Sequence, residues 1–173
     1  TFSHPHKKRR KAYKRMTTFS DLGLLPVFES ALNQDQISEP TAIQERAIPI
    51  LLAGKDAYIS SETGTGKTLA YLLPIISKID LAQRTLQAII VVPTHELAMQ
   101  IAQVGRDLAL HAHMELRLQV LIGGASLKRQ VEKLKNKPHI AIGTAGRINE
   151  LIDAKKIKPH TVKHIVIDEV DRL

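Results

Sequence analysis

Two clusters in this sequence have the residue types and spacing that phosphate chemistry needs. The first is Ser61-Glu62-Thr63-Gly64-Thr65-Gly66-Lys67-Thr68, followed by the apolar run Leu69-Ala70-Tyr71-Leu72-Leu73. Gly64 and Gly66 lack Cβ atoms, so the backbone can curl around an anion with its N–H groups turned inward, at the start of a helix whose dipole favours negative charge. In such a loop Lys67 reaches the β and γ phosphates of a nucleotide and Thr68 places its hydroxyl on Mg²⁺. Ser61 stands where the strict phosphate-loop pattern has its first glycine. The second cluster is Asp168-Glu169-Val170-Asp171, directly after Ile165-Val166-Ile167. Asp168 is read as a magnesium ligand acting through water, and Glu169 as the group that orients or deprotonates the water attacking the γ phosphate. Each cluster alone has a plainer explanation, a glycine-rich turn with a surface lysine or a solvated strand end. Together they select nucleotide chemistry.

The clusters can meet only if the fold brings them together, because 101 residues separate Lys67 from Asp168. Short apolar runs predict strands over Ala57–Ser60, Ala88–Val92, Leu118–Ile122, His139–Ile142 and Ile165–Ile167, each starting 21 to 31 residues after its predecessor. Helical spacing predicts helices over Lys67–Lys78, Glu96–Leu110, Leu127–Leu134 and Arg147–Ala154, the second with Leu97, Ile101, Val104 and Leu108 on one face. Two more, over Leu25–Asn33 and Thr41–Leu51, precede the first strand. Ile/Val runs without alternation indicate strands covered on both faces, so the fold class is α/β, a doubly wound, mostly parallel sheet. In such a sheet the carboxyl ends of the strands share one edge, and Asp168 can face the phosphate loop there.

Composition bounds the rest. The chain has 173 residues, a net charge of +8, 43% apolar residues, no Cys and no Trp. That length supports its own core. Lack of cysteine excludes a disulfide framework, thiolate metal sites and thiol nucleophiles. No apolar run approaches a membrane span, and the basic N-terminus is not followed by the apolar stretch of a signal peptide. An intracellular, cytoplasmic location is expected, with Lys7–Lys11 also fitting a nuclear address. Residues 1–16 hold Lys7, Lys8, Arg9, Arg10, Lys11, Lys14 and Arg15 with no acid, leaving only +1 for the remainder. This basic arm is expected to be disordered and solvated. His111 and His113 form no ligand cluster with the carboxylates, and Tyr58 and Tyr71 are expected to be buried.

With both clusters placed, the sequence from about Phe19 to Leu173 resembles the first RecA-like lobe of a DEAD-box RNA helicase. Ile37-Ser38-Glu39-Pro40-Thr41-Ala42-Ile43-Gln44 is similar to the family's Q motif, with Phe19 at its isolated upstream aromatic. The resemblance implies that Phe19 and Gln44 join residues 61–68 in holding ATP with Mg²⁺, the Gln44 amide pairing with N6 and N7 of adenine. Pro93-Thr94-His95-Glu96-Leu97-Ala98 resembles PTRELA, Gly123-Gly124 the glycine doublet, Thr144-Ala145-Gly146-Arg147 TPGR, and Asp168-Glu169-Val170-Asp171 the tetrapeptide that names the family. It implies RNA backbone contacts from Pro93, Thr94, His95, Gly123, Gly124, Thr144, Gly146 and Arg147. Physics alone makes these three loops interesting, since each is a strand-to-helix turn with a hydroxyl residue, Thr94, Ser126 or Thr144, near the helix start.

Four positions depart from the family pattern. His95 replaces an arginine beside the RNA path, Ala145 a proline, Ile37 an aromatic next to the adenine, and Val170 an alanine. The sequence given ends two residues after Asp171, before the position of the family's Ser-Ala-Thr motif and of a second RecA-like lobe. In the family that lobe supplies arginines to the transferring phosphate, a contribution of about 10³–10⁵ in rate in phosphoryl-transfer enzymes. The expectation is a monomeric fragment that binds adenine nucleotide weakly, hydrolyses it negligibly alone, and in the full-length protein couples ATP hydrolysis to local RNA strand separation. Two other readings compete: a DNA-directed P-loop ATPase, and a non-catalytic RNA-binding or assembly factor that keeps the fold.

Overall fold

A computed structural model describes residues 17–172; the basic arm over 1–16 lies outside the described residues. Its helices begin where local chemistry can satisfy free N–H groups. Pro26 opens α1 (Pro26–Gln34), where a missing N–H costs nothing. Thr41 and Gln44 form a reciprocal capping box on α2 (Ala42–Leu52). Helix α3 (Lys67–Lys78) starts directly from Gly66. Thr94 accepts from the Leu97 N–H at the head of α4 (His95–His111), and Ser126 from the Arg129 N–H at the head of α5 (Leu127–Leu134). Helix α6 (Ala145–Asp153) follows Thr144, whose side chain makes no capping bond.

Among the described residues, β1 (Ala88–Val91), β2 (Leu118–Leu121), β3 (Ile140–Gly143) and β4 (His164–Ile167) form one parallel sheet in the order β2-β3-β1-β4. Alternate residues serve opposite faces. Ala88, Ile90, Ile140 and Ile142 enter a large core with α1 to α4, while Ile89, Leu121 and Ala141 meet Ile148 and Leu151 of α6 and Val131 and Leu134 of α5 on the other face. Covering both faces is what the Ile/Val runs demanded. All six predicted helices and four of the five strands are present, with ends shifted by at most two residues.

Three local expectations are corrected. Ala57–Ser60 pairs with no strand: it is mostly exposed and lies across a cavity of about 880 Å³ from the free edge of β4, so its backbone has no neighbour at ladder distance. Tyr58, expected to be buried, is therefore 84% exposed, and Ile165 and Ile167 on the open edge are exposed with it. The buried stripe of α4 runs through Ala98, Ile101, Ala102, Gly105 and Leu108 and leaves Val104 exposed, because small residues let the helix approach the sheet closely. A Cβ at Gly105 would lie 2.8 Å from Leu118 Cδ2.

His139, fully buried just before β3, ties three connections together. Its Nδ1 accepts the Arg117 N–H at 3.1 Å, which leaves the neutral ring's proton on Nε2, 3.3 Å from the Leu81 carbonyl. Burial first, then the Arg117 guanidinium, hold its pKa below the ordinary histidine value. His164 is lowered too, by burial and by Lys78 and Lys163. The unfolded chain therefore binds these protons more readily. Stability is full above the unfolded value of about 6.5 and declines as pH falls below it. The urea midpoint is expected to drop between about pH 7.5 and about pH 5.5, and His139→Gln to flatten part of that slope. A variant keeping the full slope would place the acid sensitivity elsewhere.

Candidate functional site

The phosphate loop is folded upon itself. Gly64 and Gly66 have φ of +81° and +90°, left-handed conformations that glycine adopts without strain. Lys67 Nζ donates to the Ser61 carbonyl at 2.8 Å, the Ser61 and Thr65 hydroxyls lie 2.6 Å apart, and Thr65 Oγ1 donates to the Glu62 carbonyl at 2.7 Å. Gln44 fastens this loop to the head of α2. Its Oε1 accepts the Thr41 N–H at 2.9 Å, its Nε2 donates to the Gly66 carbonyl at 3.1 Å, and the residue is 2% exposed. Phe19 is fully buried in the core that also holds Phe28 and Tyr71, with no face open to a base in this conformation.

Across the cavity stands the acidic turn after β4. The Asp168 N–H extends the ladder by donating to the Val91 carbonyl at 2.9 Å. Its carboxylate accepts the Glu169 N–H on Oδ1 at 2.9 Å and the Tyr71 hydroxyl on Oδ2 at 2.8 Å. Glu169 has a φ of +49°, a left-handed conformation uncommon for a residue with a side chain, and pairs with Arg172 at 3.3 Å. Burial and the adjacent Asp168 carboxylate push the Tyr71 phenol far above the ordinary tyrosine range, so it keeps its proton. Ser61, Glu62, Thr63, Lys67, Asp168 and Glu169 line one cavity. Four residues of the first cluster and the acidic turn thus face a common space, which Gly64, Thr65, Gly66 and Thr68 do not line.

The hard-oxygen donors Thr68 and Asp168 suit magnesium. That ion takes one or two carboxylates and fills the rest of its octahedron with phosphate and water oxygens. Among the described residues no group of three or more His, Cys, Asp or Glu could cage a metal by itself.

The other three loops follow β1, β2 and β3 along the same sheet edge. Pro93 is half-buried, Thr94 and His95 are exposed, and the His95 imidazole sits above the glycine doublet, 3.8 Å from where Cβ atoms at Gly123 and Gly124 would be. Thr144 is half-buried, its N–H donating to the Leu121 carbonyl at 3.1 Å, and Gly146 is exposed with open space beside it.

Arg147 differs from the free charge that sequence suggests. Its side chain is 10% exposed, with Nε donating to Glu150 Oε2 at 2.9 Å and the guanidinium to Gln130 Oε1 at 3.0 Å and the Ala125 carbonyl at 3.3 Å. Gln130 in turn donates to the Ile122 carbonyl and accepts, through its own carbonyl, from Gln119. Arg147 therefore braces the glycine-doublet loop against α6. Sequence reasoning missed Gln130 and Gln119, which carry no local signal, and the hydroxyl of Tyr71. The Tyr71 position did carry one: it lies four residues after Lys67, on the same face of α3.

Comparison with known proteins decides the family. Residues 41–173 match the DEAD/DEAH box helicase family model. The chain belongs to the DEAD/DEAH box helicase family. It is 52% identical over 141 residues to a Bacillus subtilis protein named "Probable ATP-dependent RNA helicase YfmL", covering 82% of this chain and 37% of that one. It is 47% identical over 148 residues to the DEAD-box ATP-dependent RNA helicase CshC of Bacillus cereus, with coverages of 86% and 38%. The crystal structure of a DEAD box protein from Methanococcus jannaschii superposes with a TM-score of 0.83 at 29% identity, over 90% of this chain and 42% of that one. The chain thus spans well under half the length of these relatives.

The loop geometry makes a graded forecast for this family member. A Cβ at Gly66 would lie 2.4 Å from Gln44 Nε2, whereas one at Gly64 meets nothing within 4 Å. Both alanines carry the left-handed penalty of about 1–2 kcal/mol. Gly66→Ala adds displacement of a buried amide, an overpacking cost of about 1–3 kcal/mol. Urea unfolding is expected to rank Gly66→Ala well below Gly64→Ala. Equal losses would show that Gln44 does not hold the loop.

Proposed function

We propose that this chain is the first lobe of an ATP-dependent RNA helicase, which binds ATP with magnesium and the backbone of one RNA strand. In the full-length protein, hydrolysis is coupled to local strand separation between this lobe and a second RecA-like lobe. The observation that carries the proposal is one cavity lined by Lys67, Asp168 and Glu169, with the acidic turn leaving the sheet on the same rung as the three loops after β1, β2 and β3. The names of the bacterial relatives support it.

The chemistry follows from the groups present. Lys67 exchanges the Ser61 carbonyl for the β and γ phosphates, a charge-assisted bond shorter and stronger than the one it leaves. The N–H groups of residues 63–68 surround the phosphates, and Ser61, Glu62 and Thr65 shape the loop. Gln44 has one Nε2 hydrogen and one Oε1 lone pair left after bonding Thr41 and Gly66, which meets the valence of the bidentate adenine contact, and at 2% exposed it makes that contact only when the head of α2 opens. Phe19 acts from within the core, as support under the Q-motif segment. Bound Mg²⁺, held by Thr68 and by Asp168 through water, would offset charge on the phosphates. Glu169, once released from Arg172, orients the attacking water and accepts its proton.

RNA meets N–H groups and side chains at Pro93–His95, Gly123–Gly124 and Thr144–Arg147. Such contacts fix a backbone's path and carry little base information.

The test is Lys67→Ala in the full-length protein. RNA-stimulated phosphate release is expected to fall on the order of 10²–10³-fold, the scale of losing one preorganised charge-stabilising donor. RNA oligonucleotides are expected to stimulate the wild type where matched DNA does not. An unchanged rate in Lys67→Ala would remove the loop from the mechanism, and equal stimulation by DNA would favour a DNA-directed ATPase.

A further inference from the structure

We propose that Tyr71 is a positioning residue for Asp168, its hydroxyl holding that carboxylate in place opposite the phosphate loop and thereby setting how tightly magnesium and nucleotide bind together. The inference rests on the nucleotide reading above and concerns a side chain outside the sequence clusters.

Asp168 needs such a tether. It follows β4, the strand at the open edge of the sheet among the described residues. Its two hydrogen-bond donors are not equivalent. The Glu169 N–H on Oδ1 belongs to the next residue and travels with Asp168 whenever that turn moves. The Tyr71 hydroxyl on Oδ2 comes from 97 residues away, on α3, and fixes the carboxylate relative to another element.

That element is the one that matters. Helix α3 begins with Lys67 and Thr68, and Tyr71 lies one turn further along, so the three share a helix face. Thr68 lies three residues before Tyr71 on α3, and Asp168 accepts the Tyr71 hydroxyl, so Tyr71 ties the proposed magnesium carboxylate to the helix that carries the other proposed ligand.

Tyr71 is built to hold its position. It is 6% exposed within the main core, and its ring has only two side-chain torsions to fix. Packing at this place is fully served by a phenyl ring. A buried hydroxyl adds only a desolvation cost unless it is bonded, and here its acceptor is the proposed magnesium carboxylate. Each Asp168 oxygen keeps a further lone pair for water on the cavity side.

The test uses full-length wild type, Tyr71→Phe, Asp168→Asn and the double variant. Binding of a fluorescent non-hydrolysable ATP analogue is measured against free Mg²⁺ and again in EDTA, and urea unfolding is followed for each protein. Tyr71→Phe is expected to raise the Mg²⁺ midpoint about tenfold, the lower end of the loss seen when a partner of a metal ligand is removed. Its EDTA binding should stay within about twofold of wild type, and it should add nothing in the Asp168→Asn background. An unchanged midpoint, an equal loss with and without magnesium, or additivity in the double variant would overturn the role of Tyr71 and leave the nucleotide site standing. Wild type that fails to bind the analogue at any magnesium concentration would overturn the nucleotide reading itself, whereas binding without any response to magnesium would overturn this inference alone.

Discussion

All four strands end on one rung. Leu121 pairs with Gly143, Gly143 with Val91 and Val91 with Ile167, so the chain leaves the sheet at the same height four times. In a parallel sheet nothing else is needed to gather distant residues, because whatever follows each strand is delivered to a common edge. The rung has a strict local requirement at Gly143, where a Cβ would lie 2.0 Å from the Leu121 carbonyl oxygen. With hydrogen there, that oxygen instead accepts the Thr144 N–H. The glycine lets β2 and β3 close together at their ends, and the three loops proposed to hold RNA, together with the acidic turn, depend on that shared height.

Around this edge polar groups are bonded to one another. Lys67 holds the Ser61 carbonyl, Gln44 holds Gly66, Tyr71 holds Asp168, Arg172 holds Glu169, and Arg147 holds Gln130. Among the described residues no buried side-chain polar atom lacks a partner. Two kinds of contact are mixed here. Those of Lys67 and Glu169 are made by flexible, partly exposed side chains, and stronger charged or phosphate partners can replace them. Those of Gln44, Tyr71 and Gln130 are made by buried side chains and set the frame against which the others exchange.

Much of this was legible in the sequence, for identifiable reasons. Helices announced themselves through apolar periodicity, with hydroxyl residues near their starts of which Thr94 and Ser126 cap and Thr144 does not, and central strands through Ile/Val runs that only double-sided burial explains. The apolar run at Ala57–Ser60 carries the same local signal, yet a strand exists only through its neighbour, and β4 lies across the cavity. Val104 misled because four matching positions define a stripe only to within a residue or so, and the small Ala98, Ala102 and Gly105 drew the helix in on their own side. For the site, the motifs named Ser61, Glu62, Thr63, Lys67, Asp168 and Glu169, which line the cavity, along with others that do not. They could not name the residues that hold those in place, since the bonds of Tyr71 to Asp168 and Gln130 to Arg147 span 97 and 17 positions with no local pattern.

The charge distribution bears on how the proposed RNA edge can work. Outside the first sixteen residues the chain carries a net charge of only +1. Arg147 spends its guanidinium on Glu150, Gln130 and Ala125, and His95, at an arginine position of the family motif, lies over Gly123 and Gly124. With Arg147 and His95 so engaged, the proposed grip falls to oriented N–H groups at three helix starts, acting over hydrogen-bond distance, beside the exposed Lys128 and Arg129 at the head of α5. Such groups hold a phosphate only when the strand follows the path they define. Under the proposed function, a lobe built this way favours RNA held in register by the proposed second lobe over loosely placed RNA, which is the behaviour required if nucleotide state is to decide when the strand is held.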